Sequence, residues 1–196
     1  FYDYPPILEL SEKLVKYLPG DIDNILYSNS GGEANEGAIK LAKFYTKRNG
    51  IISFLGAYHG KNFAALSATT VSAGARSDCG SMLSDTYIVP YPTKDQCPKG
   101  YDEDERTNYC LGEIKKVFDY IISPDNVAAF IMEPILGDGG YFIPPKSFIK
   151  AIRDICDKYG ILLIFDEVQT GFGRTGKMFA CEHFEVVPDI ITLGKP

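Results

Sequence analysis

Apolar runs of the length of a β-strand alternate along the chain with stretches whose apolar positions recur at helical spacing. The runs predict strands at 51–54, 87–89, 127–132, 161–165 and 190–193. Helical spacing predicts helices at 33–48, 111–122 and 147–159, with Gly50 and Gly160 as the residues that end two of them. Because strand, helix and strand follow one another, we predict an α/β fold with right-handed crossovers and a largely parallel sheet. The mixed Gly, Pro, Asp and Lys content of 70–108 predicts an irregular surface excursion.

Ionisable residues follow three of the predicted strands. Asp166 closes the run ILLIF, Glu133 follows the run ending in Met132, and Lys195 follows a short run and Gly194. Parallel strands deliver such side chains to the carboxyl edge of the sheet, where open α/β sheets bind ligands. Pyridoxal phosphate (PLP) chemistry requires an anionic Asp beside a protonated ring nitrogen and a Lys able to bond the cofactor covalently. A salt bridge for Asp166 and an ordinary surface position for Lys195 stay open; burial at a strand end would make Lys195 a competent nucleophile.

Two glycine-containing segments offer further contacts to a ligand. Ser30 followed by Glu33 predicts a capping box, and Gly31 and Gly32 let an anion such as a phosphate approach the amides of a helix N-terminus. A capped helix without a ligand is the alternative. Tyr58, between Gly56 and Gly60, would stack on a flat ring or simply pack on its own domain.

Four more side chains have both a functional and a structural interpretation. His59 has a structural role as its simplest interpretation. Asp138, in a GDGG loop, is either part of the cleft or a solvated turn residue. Gln169 and Arg174, in QTGFGRTG, are expected to line the same cleft, with a loop-anchoring role for Arg174 as the alternative.

Composition narrows the class of protein. The chain has 196 residues, 45% hydrophobic and 23% charged, which is ordinary for a globular protein. Its net charge of −6 does not favour binding to nucleic acid or to an anionic membrane, and no apolar run approaches the ~20 residues of a membrane span. The first ten residues lack the pattern of a signal peptide. Five cysteines without a CxxC pair and only two histidines predict free thiols in a reducing cytoplasm and no metal site.

The order of these motifs resembles the class III (omega-amino acid) aminotransferases, which are fold-type I PLP enzymes. The matching stretches are YSNSGGEANEGAIKLAKFY, FLGAYHGKNFAALSAT, AAFIMEPILGDGGYFIPP and ILLIFDEVQTGFGRTGKMFACEHFEVVPDIITLGK. The resemblance implies a three-layer α/β/α large domain, with a mostly parallel sheet and helices on both faces. It also implies that residues 1–196 are a truncated part of this domain, without the family's N-terminal segment and C-terminal small domain.

By the same resemblance, the phosphate and both faces of the PLP ring have expected partners. Gly31 and Gly32 would bind the phosphate through their backbone amides. Tyr58 would stack on one face of the ring and Val168 would pack on the other. Gln169 would lie by the ring hydroxyl.

The resemblance also implies the catalytic residues. Asp166 would pair with the pyridine nitrogen, Lys195 would carry the cofactor and move the proton, and Glu133 would lie near the reacting amine. Ser30 and His59 complete the expected cofactor-binding set. The implied mechanism is ping-pong, with an amino acid as donor and a 2-oxo acid as acceptor.

One residue departs from the family's pattern. Asp138 stands where relatives that handle both 4-aminobutyrate or ornithine and glutamate usually carry Glu, which pairs with an arginine further along their chains. That arginine, the phosphate contact from the partner subunit and the small domain would lie after Pro196. Family sites form at a homodimer interface, so we expect residues 1–196 alone to be inactive.

The leading hypothesis is transfer of an amino group from 4-aminobutyrate to 2-oxoglutarate. The stretch YPTKDQCPKG, with Cys110 after it, is similar to an insertion in 4-aminobutyrate aminotransferase-like members. An amino-acid racemase on the same scaffold and an acetylornithine, ornithine or other class III aminotransferase are the alternatives. A non-catalytic protein of this fold is disfavoured because both Asp166 and Lys195 are present.

Overall fold

Five parallel strands form the central sheet of the computed structural model, which describes residues 4–195. The strands are β1 (Gly50–Phe54), β2 (Thr86–Val89), β3 (Val127–Met132), β4 (Leu162–Asp166) and β5 (Ile190–Thr192). Their order across the sheet is β2-β1-β3-β4-β5, and every neighbouring pair is parallel. All five carboxyl ends therefore lie at one edge, as the alternation of strands and helices predicted.

Helices cover both faces of this sheet. They are α1 (Pro5–Leu14), α2 (Gly31–Thr46), α3 (Phe63–Ala68), α4 (Glu103–Tyr120), α5 (Lys146–Tyr159) and α6 (Cys181–Phe184), with short 3₁₀ turns at Ala73–Arg76 and Pro124–Asn126. α2 and α3 pack on one face, and α4, α5 and α6 pack on the other. This confirms the three-layer α/β/α arrangement. Within residues 4–195 no helix is long and apolar enough to span a membrane.

The two faces of the sheet differ in the size of their side chains. On the α2 face, Ala129 of β3 belongs to the same buried cluster as Ala38 and Ala42 of α2. Small side chains on both elements allow the helix backbone to lie close to the sheet.

The opposite face is filled by aromatic rings. Phe54 of β1 lies edge-on to Tyr91 and to Phe148 of α5, with both pairs of ring centroids 5.8 Å apart. Edge-to-face contacts of this kind add about 1 kcal/mol each to the burial of the rings. This aromatic cluster is the larger of the two cores.

The structure corrects the prediction for 70–108. The strand predicted at 87–89 is present as β2, but the segment also contains the beginning of α4, and Tyr91 is fully buried in the aromatic core rather than at the surface. α4 begins at Glu103 rather than at 111, because Asp102 and Glu105 form a complete capping box. α1, α3 and α6 were also not predicted, since they are short or, in the case of α1, have no buried face.

The capping box predicted at α2 is only half formed. Ser30 Oγ accepts a hydrogen bond from the Glu33 amide at 3.1 Å, so the cap itself is confirmed. The Glu33 carboxylate accepts instead from the backbone amide of Asn29 at 2.8 Å and from the Asn29 side chain at 2.9 Å. The helix therefore begins at Gly31, two residues before the predicted start.

Candidate active site

A cleft of about 300 Å³ opens at the carboxyl edge of the sheet. Its lining residues lie at or after the carboxyl ends of four neighbouring strands (β1, β3, β4 and β5) or at the N-terminus of α2. The predicted catalytic and cofactor-binding residues all line this cleft: Ser30, Gly31, Gly32, Tyr58, His59, Glu133, Asp166, Val168, Gln169 and Lys195. The structure thus brings together residues that are up to 165 positions apart in a chain of 196.

The Asp166 carboxylate is buried at the end of β4 and is surrounded by hydrogen-bond donors. Oδ2 accepts from the Asn35 amide at 2.7 Å and lies 2.8 Å from Nδ1 of His59. Oδ1 accepts from the Val168 amide at 3.0 Å. A buried carboxylate with this many donors is compensated for the loss of water, so it can present negative charge to a ligand in the cleft.

Glu133 is 4% exposed and is held by two backbone amides. Oε1 accepts from Tyr58 at 2.9 Å, and Oε2 accepts from Gly137 at 2.8 Å. Burial raises the pKa of this carboxyl to about 7, with the charge of Asp166 adding to the effect and His59 and the two amides opposing it. A carboxyl with such a pKa can gain or lose a proton near neutral pH.

Gly31 and Gly194 have no side chain, and the Val168 side chain occupies the space beside them. A Cβ on Gly31 would lie 2.7 Å from Val168 Cγ1, and one on Gly194 would lie 3.0 Å from the same atom. A Cβ on Gly32 would lie 2.7 Å from the Asn62 Oδ1 atom. Side chains at these glycines would therefore push Val168 and Asn62 out of place. The backbone amides at the start of α2 stay accessible to an anion, since they have no intrahelical acceptor.

The Lys195 ammonium donates a hydrogen bond to Oε1 of Gln169, and the Lys195 amide donates to the Val168 carbonyl at 3.1 Å. Lys195 is exposed, so the burial considered for it is not observed. It is the last residue that the structure describes, and no described element packs over its side chain. Its place beside Gln169 and at the end of β5 agrees with the predicted convergence on the cleft.

Two other candidates have different outcomes. Asp138 is exposed and also lines the cleft, so both of its predicted interpretations hold. Arg174 is not among the lining residues of this cleft and lies in the turn-rich segment after Gly171, so its place at the site stays a prediction. Four lining residues were not predicted, and they are Asn35, Gly60, Lys61 and Asn62.

Comparison with known proteins relates this chain to the class III aminotransferases. The family model described as Aminotransferase class-III matches residues 1–196. A leucine/methionine racemase of Thermococcus litoralis is 44% identical over 97% of this chain and 43% of its own length. A probable 4-aminobutyrate aminotransferase of Bacillus subtilis is 38% identical over 98% of this chain and 44% of its own length. An omega transaminase of Pseudomonas jessenii, solved in complex with PMP, superposes with a TM-score of 0.92 at 33% identity, over 99% of this chain and 44% of that one. The chain spans less than half the length of these relatives.

Proposed function

Because the chain belongs to the class III aminotransferases, a family that uses PLP, we propose that residues 1–196 form part of the PLP-binding large domain of an aminotransferase. The proposed donor is an ω-amino acid, 4-aminobutyrate, and the proposed acceptor is 2-oxoglutarate. The B. subtilis relative, named a probable 4-aminobutyrate aminotransferase, supports the donor.

The observation that carries the proposal is the fit of the cleft to PLP. An anion site at the start of α2, a buried carboxylate at Asp166 and a primary amine at Lys195 share one cleft of about 300 Å³. Gly31 and Gly32 would hold the phosphate, and Asp166 would face the ring nitrogen. These groups match the phosphate, the pyridine nitrogen and the aldehyde of the cofactor.

Bound PLP supplies an electron sink that stabilises negative charge on the substrate carbon next to nitrogen. The chain's own residues would do the remaining work. Asp166 would keep the ring nitrogen protonated, and Lys195 would hold the cofactor and carry the proton to and from the substrate. Tyr58 and Val168 would confine the ring between them. Glu133, fixed by two amides, would orient the groups beside the reacting amine.

Racemisation is the second candidate function, and the T. litoralis racemase at 44% identity favours it. A racemase needs the same Asp and Lys but returns the proton to the substrate carbon from the opposite side. It therefore leaves the amino group on the substrate and needs no acceptor.

The two functions are distinguished on the protein expressed from its complete gene and loaded with PLP. Addition of 4-aminobutyrate without an acceptor should convert the bound cofactor to pyridoxamine phosphate. The absorption spectrum of the bound cofactor measures this conversion. An unchanged spectrum would reject this donor; loss of optical purity of leucine or alanine without net amino transfer would then establish racemisation. Lys195→Ala should abolish borohydride-dependent attachment of PLP to the protein. Lys99→Ala, which removes an exposed lysine outside the cleft, should not.

We also propose that the intact enzyme is a homodimer. The exposed apolar side chains of Leu41, Phe44 and Tyr45, 52–74% accessible on one side of α2, support this assembly. Sedimentation of the intact protein as a monomer would contradict it. A cytoplasmic location is proposed from the five free cysteines, and cell fractionation would test it.

A further inference from the structure

The side-chain amide of Asn35 is buried, 1% exposed, between three of the elements that build the cleft. Nδ2 donates to Oδ2 of Asp166 at 2.7 Å and to the His59 carbonyl at 2.8 Å. Oδ1 accepts from the Thr192 hydroxyl at 2.7 Å. Both protons of the amide and its oxygen are therefore used, which fixes the orientation of the group.

Asn35 and His59 act on the same carboxylate oxygen. An ionised carboxylate only accepts hydrogen bonds, so the proton of the His59 ring lies on Nδ1, which is 2.8 Å from Asp166 Oδ2. With Oδ1 bound to the Val168 amide at 3.0 Å, the plane of the carboxylate is determined by donors on both oxygens. Asn35 is the donor that lies on a different layer of the fold, on α2 rather than at the sheet edge.

The position of Asn35 on α2 connects the two ends of the cleft. Gly31 and Gly32 lie at the N-terminus of this helix, about one turn or ~5 Å before Asn35 along the helix axis. The same rigid helix therefore presents the amides proposed for the phosphate and binds the carboxylate proposed for the ring nitrogen. Movement of α2 relative to β4 would change both contacts together.

We propose that Asn35 is a positioning residue, which holds the Asp166 carboxylate toward the cofactor ring and fixes its distance from the Gly31–Gly32 phosphate site. This inference rests on the proposed PLP site. Thr192 contributes mainly through Asn35, because its hydroxyl donates to Oδ1 of Asn35 at 2.7 Å and so determines which way the amide points; the same hydroxyl lies 3.5 Å from Oδ1 of Asp166.

Two variants of the intact protein test the role of Asn35, with PLP as the probe. Asn35→Asp keeps the size of the side chain, removes both donors and places a second carboxylate against Asp166. We expect the Kd for PLP to rise at least about tenfold and the absorption band of the bound cofactor to shift. Thr192→Val removes the hydroxyl that orients the amide, together with its long contact to Asp166, and leaves both Asn35 donors in place, so a smaller rise, about threefold, is expected. Asn108→Asp, the same exchange at an exposed position of α4, should change neither quantity.

A double-mutant cycle separates positioning from a general loss of structure. In the Asp166→Asn background the carboxylate that Asn35 holds is absent, so adding Asn35→Asp should raise the Kd for PLP by less than about twofold. A full additional tenfold would show that Asn35 acts independently of Asp166 and would overturn the inference. So would a wild-type Kd and spectrum in Asn35→Asp.

Thermal melting of each variant without cofactor shows whether it folds. If Asn35→Asp does not fold, Thr192→Val decides: an unchanged Kd and spectrum there reject the inference, and a raised Kd with a shifted band supports it. Failure of the proposed function would be seen differently, as a wild-type protein that does not bind PLP.

Discussion

Protonation of Glu133 should make the stability of the cofactor-free protein depend on pH in a characteristic way. Burial raises its pKa from the ordinary 4.5 to about 7; His59 opposes this shift and the charge of Asp166 adds to it. Between these two values the folded protein binds more protons at Glu133 than the unfolded chain does. The free energy of unfolding must therefore fall as the pH rises through this range.

The size of the effect follows from the two pKa values. The difference between 4.5 and about 7, at about 1.4 kcal/mol per pH unit, corresponds to a loss of about 3 kcal/mol of stability. The contribution is small below pH 4.5, where the group is protonated in both states, and the full loss is reached above about pH 7. For a domain of this size, such a loss is a large share of the total stability.

Urea unfolding of wild type and of Glu133→Gln at about pH 5 and about pH 8 measures this contribution. Gln offers one acceptor oxygen where Glu133 serves the amides of both Tyr58 and Gly137, so the variant has a constant penalty at every pH. The informative quantity is the change in the free energy of unfolding between the two pH values. Because a pH of about 5 already lies above the pKa of the unfolded chain, this change should be about 2.5 kcal/mol less favourable in wild type than in the variant.

An exposed carboxyl provides the matched control. Glu9→Gln, on the exposed surface of α1, should follow wild type at both pH values. If Glu133→Gln also lost stability in parallel with wild type, Glu133 would not be taking up the proton, and the argument from its burial would be wrong.

Two further substitutions test the cleft and the core. Gly31→Ala should raise the Kd for PLP about tenfold or more, because its Cβ would lie 2.7 Å from Val168 Cγ1. The control Gly112→Ala, which has open space around its Cβ in α4, should leave the Kd unchanged and stabilise the helix by about 1 kcal/mol. Equal Kd values in both variants would refute the proposed role of the Gly31 backbone. Phe148→Ala should lower the free energy of unfolding by about 3–5 kcal/mol, since the ring is fully buried against Phe54 and Tyr91, and a loss below about 1 kcal/mol in urea unfolding would contradict that packing.

The strands and the residues at their ends could be predicted from the sequence because the pattern is local. A continuous apolar run that stops at Asp166 indicates both a buried parallel strand and the edge at which it ends. The same reasoning placed Glu133 and Lys195 at that edge, and the structure confirms that all three line one cleft.

Asn35 could not be predicted in this way, because its partner is distant in sequence. Its amide contacts Asp166, 131 positions away, and Thr192, 157 positions away. In the sequence it is a polar residue on the first turns of a helix, where solvent exposure is the usual outcome. Its burial follows from the packing of α2 on the sheet, which the apolar spacing of that helix only partly determines.

In the segment 70–108 the strand at 87–89 was predicted, but the burial of Tyr91 was missed for a related reason. Gly, Pro and Asp indicate turns correctly, as the start of α4 at the Asp102 cap shows. They do not reveal that Tyr91 enters the core on the aromatic face, where its hydroxyl donates to the Pro134 carbonyl at 3.2 Å. Tyr91, together with Val89 and Cys97 in the same core, anchors a segment that is otherwise rich in turns.

The unequal faces of the sheet explain why a short side chain can reach Asp166 at all. An asparagine extends only a few ångströms from its helix, so α2 must lie close to the ends of β4 and β5 for the amide to contact both. The alanines in the cluster between α2 and β3, Ala38 and Ala42 on the helix and Ala129 on the strand, permit that approach. The large rings are confined to the other face, where α4 and α5 pack without contributing to the cleft. The small residues of this core layer therefore allow the N-terminal turns of α2 to lie against the Asp166 carboxylate, where Asn35 donates to it at 2.7 Å.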